Sequence, residues 1–291
     1  MHNSALQHHL ELQLTDRALS PIKIQSAYPH GGGCINQTYH LQTNQSDWFL
    51  KLNRADLFDM FGAEVDGLES LSQAKSFLIP SPLIHGIYED YSYLVLQYLP
   101  MSGSVEQTTF AEALTEMHRI TANIYGYHRD NYIGSSQQIN TQHDNWFDFF
   151  MTERLQRQVE MLGNASILQR WSEFYHACQD LFAAHQPQAS LLHGDLWQGN
   201  ISQSGSQACI YDPACYYGDY ETDLAMLELF GAPSSRFYQR YHETIERIPG
   251  WQLRRRWYNL YHILNHANLF GGGYAQQANS YMKDIISASI R

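Results

Sequence analysis

Two short apolar segments frame the densest polar cluster of this chain, and their order leaves few folds open. Ser190-Leu191-Leu192 leads into His193-Gly194-Asp195-Leu196-Trp197-Gln198-Gly199-Asn200. Cys209-Ile210-Tyr211 then ends on Asp212-Pro213, twelve residues after Asn200. The first segment has the form H-x-D-L-x-x-x-N. A carboxylate followed by an amide at this offset, with a further acid at the end of a short strand, meets the needs of phosphoryl transfer to a hydroxyl. One acid orients the hydroxyl and takes its proton, and the amide and the second acid hold a metal ion. Taken alone, Asp212-Pro213 reads as an ordinary turn initiator. The order of the whole set gives it meaning.

The rest of the chain changes period once. In the first hundred residues, 37–43 and 47–52 flank the polar turn Asn44-Gln45-Ser46 and read as a hairpin. Residues 55–75 then carry Leu57, Phe61, Leu68 and Leu71 at helical spacing, with Glu64 on that same face. Two more strands are expected at 83–88 and 92–99. The loop from Leu99 to Gly103 is the expected boundary between a first lobe, 1–99, and a second, 100–291. Beyond it the signal is helical. Phe110, Leu114, Met117 and Ile120 form one stripe. Residues 129–145 read as a loop. Trp146, Phe149, Phe150 and Leu155 open a long helix, 167–182 a further one, and the last 55 residues are helical around a break at Gly271-Gly272-Gly273. At 291 residues the chain suits two lobes better than one core. The fold class is therefore α+β: an antiparallel sheet with one helix, followed by a larger, mostly helical lobe.

Three features of the first lobe suit a nucleotide. Gly31, Gly32 and Gly33 precede a strand, where a glycine run either serves as a flexible turn or points N–H groups at phosphate oxygens. Lys51 follows Trp48-Phe49-Leu50 in the next strand, and only four lysines occur in the chain. Either its stem snorkels to the surface, or its ammonium is buried and needs a partner, which Glu64 would supply. The apolar Leu94-Val95-Leu96 is placed to run into an adenine-binding hinge.

Together these segments resemble the protein-kinase-like phosphotransferases, in the branch with aminoglycoside and choline kinases. Six segments narrow the resemblance: GGGCINQTY at 31–39, RDNYIG at 129–134, HGDLWQGN at 193–200, DPACYYGDYETDLAM at 212–226, ELFG at 228–231 and LNHANLFGGGY at 264–274. They are similar to the fructosamine kinase, or ketosamine-3-kinase, family over nearly the whole chain. The resemblance implies a two-lobed kinase-like fold and an enzyme using ATP and Mg²⁺. Its substrates would be ketosamines, namely fructosamine, ribulosamine and erythrulosamine adducts, free or on glycated protein amines. Phosphorylation of the 3-hydroxyl would lead to deglycation. By residue, it implies Asp195 as the catalytic base, Asn200 and Asp212 as metal ligands, and Lys51 with Glu64 as the phosphate-holding pair. Gln97, Tyr98 and Leu99 would form the adenine hinge. Trp197 either stacks on the sugar or packs between lobes. Asp219 is a candidate substrate residue, and Asp223 is expected to brace the catalytic loop. Asp212 is followed by Pro213-Ala214 and not Phe-Gly, and nothing resembles an activation loop. A kinase of another small hydroxylated amine, such as an aminoglycoside, and a non-catalytic nucleotide-binding module are the competing readings.

Composition bounds the partners. The net charge is −11, from 18 basic and 29 acidic side chains, with no basic stripe. That disfavours a reader of nucleic-acid backbones. No secretory signal and no apolar run of membrane-spanning length are visible. Four cysteines without metal spacing suit reduced thiols and the cytoplasm. A monomer or weak dimer is expected. Cys34 lies inside the glycine-rich loop, directly after Gly33. It is either a small residue tolerated in a tight loop or a thiol whose oxidation would block ATP binding.

Overall fold

Side-chain alternation in the first lobe decides which residues meet which helix. The computed structural model describes residues 3–31 and 35–290. Helix α1 (Ser4–Ala18) precedes β1 (Ile24–Pro29), β2 (Gln37–Thr43), β3 (Asp47–Arg54), α2 (Phe58–Leu71), β4 (Pro82–Tyr88) and β5 (Tyr91–Gln97). The five strands form one antiparallel sheet in the order β1-β2-β3-β5-β4. Successive residues of a strand face opposite sides. Leu50, Leu52, Tyr93 and Val95 accordingly pack with Leu6, Leu10 and Leu14 of α1. Leu94 and Leu96 turn the other way, into a core with Phe61, Leu68 and Leu71 of α2. Lys51, between Leu50 and Leu52, must therefore face α2. The register sets it opposite Leu94 on β5 and Thr38 on β2.

The expected strands and the expected helix are all present, but the sheet carries two helices and not one. Helix α1 starts at Asn3, whose Oδ1 accepts hydrogen bonds from the N–H groups of Ala5 and Leu6. Its stripe is Leu6, Leu10 and Leu14, at a spacing of four. Leu12 is exposed. The alternation Leu10, Leu12, Leu14 mimics a strand, which hides the helix in a sequence reading.

The second lobe starts at α3 (Gln107–His118), capped by Glu106, whose carboxylate accepts from Thr109 N–H at 2.7 Å. Short strands β6 (Thr121–Ala122), β7 (Asn131–Ile133) and β8 (Ser136–Gln138) follow. The expected loop at 129–145 thus contains a small hairpin, with strands too short to show a period. Helix α4 (Trp146–Phe149) runs through a π-helical turn (Phe150–Gln156) into α5 (Arg157–Leu162), and α6 (Ala165–Phe182) follows. Strand β9 (Ala189–Leu192) lies between β6 and β12 (Tyr216–Gly218). Strands β10 (Ile201–Ser204) and β11 (Gln207–Ile210) form a hairpin. Helices α7 (Glu221–Leu229), α8 (Ser235–His242), α9 (Trp251–Phe270) and α10 (Tyr274–Ser289) complete the chain. One continuous core runs from α2 and the inner sheet face through the helical lobe. Among the described residues, no helix is long and apolar enough to cross a membrane.

Candidate active site

A two-stranded hairpin does the main work of assembly. In β10–β11, Ile201 pairs with Ile210, and Tyr211 N–H donates to Asn200 C=O at 3.2 Å. Residues twelve apart in sequence are thereby side by side, so Asn200 and Asp212 arrive at one place. Asp195 joins them from the turn after β9. Asn200 Nδ2 donates to the Asp195 carbonyl at 2.9 Å and to its Oδ2 at 3.2 Å.

The turn that presents Asp195 is fixed from behind. The buried Asp223, in the first turn of α7, accepts from His193 N–H at 2.8 Å and from Gly194 N–H at 3.0 Å. The bracing expected of Asp223 is thus present. His193 Nε2 lies 3.0 Å from Tyr211 C=O, an acceptor, so that nitrogen carries the proton. His193 Nδ1 then accepts from Asp195 N–H at 3.3 Å. Burial lowers the His193 pKa, which suits this neutral form. Gly194 has φ +81°, and a Cβ there would lie 2.0 Å from Ala214 C=O. The middle residue of His-Gly-Asp must therefore be glycine, because the 212–214 segment lies directly on it.

Lys51 reaches the same place from the sheet. It is 4% exposed, and its ammonium donates to Glu64 Oε1 at 2.5 Å and to Asp212 Oδ1. The sequence left a snorkelling lysine open, and the structure buries it instead. Burial alone would lower the Lys51 pKa, but Asp212 and Glu64 outweigh it and hold the group charged. Removing either acid would leave the ammonium with one partner in place of two.

These groups open into a cleft of about 600 Å³ between the lobes, a size common for small-ligand sites. Asp195, Asn200, Asp212, Lys51 and Glu64 line it, as do Gln97, Tyr98 and Leu99 where β5 leaves the sheet. Gly31 stands at its rim. Gly32, Gly33 and Cys34 lie outside the described residues. Burial first, and the nearby Asp212 carboxylate second, push Asp195 up to about 7, in the range suited to a general base at neutral pH. Trp197 is 40% exposed at the mouth. Its ring lies over Gly199, where a Cβ would come within 2.2 Å of Trp197 Cη2.

Asp219 is the exception. It is fully buried, and its Oδ2 accepts from Tyr258 O–H at 2.5 Å and pairs with His185 Nε2 at 2.7 Å. Its Oδ1 accepts from Glu221 N–H at 3.0 Å. Asp219 thus faces the start of α7 and does not line the cleft, which corrects the expectation of a substrate contact. Sequence reading also missed the aromatic neighbours of the mouth. Phe230 sits edge-on to Trp197 with ring centroids 6.5 Å apart, and His266 lies 5.0 Å beyond it. Both belong to quoted motif segments, so the signal was present without a role.

A five-stranded sheet over a helical lobe, with a buried lysine–glutamate pair facing an Asp–Asn–Asp cluster, defines a protein-kinase-like phosphotransferase. The fructosamine kinase family model matches residues 6–288. A "Probable ketoamine kinase" of Synechocystis is 40% identical over 280 residues, covering 94% of this chain and 95% of that protein. The chloroplastic protein-ribulosamine 3-kinase of Arabidopsis thaliana is 37% identical, covering 88% and 81%. A crystal structure described as a "Putative fructosamine-3-kinase" from Haemophilus somnus superposes with a TM-score of 0.88 at 27% identity, covering 96% and 99%. The chain belongs to the fructosamine kinase family and is an ATP-dependent kinase.

Proposed function

We propose that this enzyme transfers the γ-phosphoryl group of ATP to the 3-hydroxyl of ketosamines, and that Asp195 is its base. The observation that carries the reading is the meeting of Asp195, Asn200, Asp212 and Lys51 in one cleft. The relatives' names, ketoamine kinase and protein-ribulosamine 3-kinase, support the substrate class. Asp195 would accept the hydroxyl proton as that oxygen attacks the γ-phosphorus. The bond from phosphorus to the bridging oxygen breaks, and ADP leaves. The phosphate introduced at C3 lies next to the C2 carbonyl. It can be expelled as the adduct enolises, after which hydrolysis frees the amine.

Lys51, fixed by Glu64, would hold the α- and β-phosphates. Gly31, Gly32 and Gly33 would cover them with N–H groups, and Gln97, Tyr98 and Leu99 would receive the adenine. Asn200 spends its amide N–H groups on Asp195, so its Oδ1 is left for a ligand. Asp212 gives Oδ1 to Lys51 and keeps its other oxygen. An amide oxygen and a carboxylate oxygen are hard donors that fit Mg²⁺. When bound, the ion offsets the charge of the phosphates. Trp197 would stack on the sugar. We further read residues 1–99 and 100–291 as the two lobes, Cys34 as a thiol whose oxidation would block ATP, and the enzyme as a cytoplasmic monomer or weak dimer.

The test is an ATP-consumption screen against fructosamine, ribulosamine and erythrulosamine derivatives, with an aminoglycoside as control. Phosphorus NMR would locate the product phosphate. Turnover of the aminoglycoside alone, or phosphate at a position other than C3, would defeat the reading.

A further inference from the structure

In the RDNYIG segment at 129–134, Arg129 and Tyr132 add polar contacts to α2 beside the core packing of Phe61, Leu68 and Leu71. The Arg129 guanidinium forks across two carboxylates that lie two turns apart on α2. Nη2 meets Asp59 Oδ1 at 2.6 Å, and Nη1 meets Asp66 Oδ2 at 2.8 Å. Tyr132 O–H donates to the other oxygen of Asp59 at 3.1 Å. Just upstream, Tyr127 O–H lies 3.2 Å from Asp66 C=O and 2.5 Å from Ser70 Oγ. A fork of this kind fixes direction as well as distance.

The same hairpin is anchored to the loop after Asp212. Asn131 Nδ2 donates to Cys215 C=O at 2.7 Å, and Gln138 Nε2 donates to Ala214 C=O at 3.0 Å. Arg154, fully buried, holds the base of the hairpin by donating to Ile139 C=O and to Asn140 Oδ1, both at 2.6 Å. Helix α2 also touches the loop directly: a Cβ on Gly67 would lie 2.8 Å from Pro213 Cγ. The contacts close a ring. It runs from Asp212 through the 214–215 backbone to the hairpin, through Arg129 to α2, and through Glu64 and Lys51 back to Asp212.

We propose that Arg129, assisted by Tyr132, is a positioning residue that locks α2 so that Glu64 holds Lys51 in place for the nucleotide. In kinases at large the placing of this helix is a regulated step. Here the β7–β8 hairpin does it permanently. This inference rests on the reading of Lys51 and Glu64 as the phosphate-holding pair.

The experiment compares R129M, R129K, E64Q and K51M, the double variant R129M/E64Q, and the parent. MgATP affinity is measured by calorimetry, KM by steady-state kinetics, and α2 mobility by amide hydrogen exchange. R129M is expected to weaken MgATP binding about fivefold, the scale of partly exposed ion pairs. The KM for the ketosamine and the thermal midpoint should stay put, while amides 58–71 exchange faster. R129K, which can meet only one carboxylate, should fall between. R129M should add nothing in the E64Q background. Unchanged α2 exchange in R129M, or a full additional loss on top of E64Q, overturns the brace alone. If E64Q and K51M both leave MgATP affinity intact, the phosphate-holding reading falls and the brace falls with it.

Discussion

Asn200 reaches back five residues and binds Asp195 twice, at the backbone carbonyl (2.9 Å) and at the carboxylate (3.2 Å). The residue proposed to hold the metal ion thus also aims the proposed base. A single side chain ties the two ends of the catalytic loop together. Replacing Asp195 by Asn keeps the shape and removes the base. D195N is expected to lower kcat by about 10²- to 10⁴-fold, the usual share of general base catalysis. MgATP should still bind with the parent's affinity, as read by calorimetry. Near-parental turnover in D195N would sink the assignment of Asp195.

Two glycines in this loop answer different questions. A Cβ on Gly194 would meet the Ala214 carbonyl at 2.0 Å, and backbone cannot step aside. G194A is therefore expected to cost stability, by about 2–4 kcal/mol given the clash and the left-handed φ together. The nearest atoms that a Cβ on Gly199 would meet belong to the tip of the Trp197 ring, which can swing. G199A should fold normally and raise the ketosamine KM while leaving MgATP affinity alone. Thermal melts and steady-state kinetics on the pair check both. Equal melting points for G194A and the parent would contradict the packing described.

Trp197 carries a sharper version of the same prediction. It stands at the mouth beside Asp195, with Phe230 as its neighbour. If its face receives the sugar, W197A should raise the ketosamine KM about tenfold, the worth of one good ring contact. It should spare the KM for ATP. A loss shared equally between both substrates would mean that the ring only packs the mouth.

What the sequence disclosed and what it hid differ by range. Asp195 and Asn200 are five residues apart, and one short hairpin brings in Asp212, so local spacing was enough to find them. Lys51 was also legible, because strand alternation forces it toward the helix that carries Glu64. Helix α1 was not, since Leu10, Leu12 and Leu14 satisfy both periods until a sheet exists for Leu6, Leu10 and Leu14 to cover. Asp219 was misread because its role is set by Tyr258, 39 residues away, and by His185, 34 residues away. Arg129 went without a role for the same reason: its partners Asp59 and Asp66 lie 70 and 63 residues upstream. Local pattern announces a charge, but only the fold supplies its partner.

Part of the acid limb of stability should trace to a buried imidazole on α9, His262. His262 is 4% exposed, and its Nδ1 has no hydrogen-bond partner among the described residues. Burial first, and the neighbouring His266 second, hold its pKa down at about 3. An unfolded chain would have this group near 6.5, at about the ordinary histidine value. The folded value is the lower one, so the unfolded state binds the extra proton. The stability that His262 contributes as a neutral group is present above about 6.5 and is lost as pH falls toward about 3, at about 1.4 kcal/mol per pH unit. H262L removes the titrating group and an unpaired polar atom at similar size, so its cost at pH 7 should stay within about 1 kcal/mol. Denaturant unfolding at pH 7, 6 and 5 should then show a slope shallower by about one proton in H262L than in the parent. Parallel slopes in the two proteins would mean that His262 is already charged in the folded state, and that its burial is not what limits stability in acid.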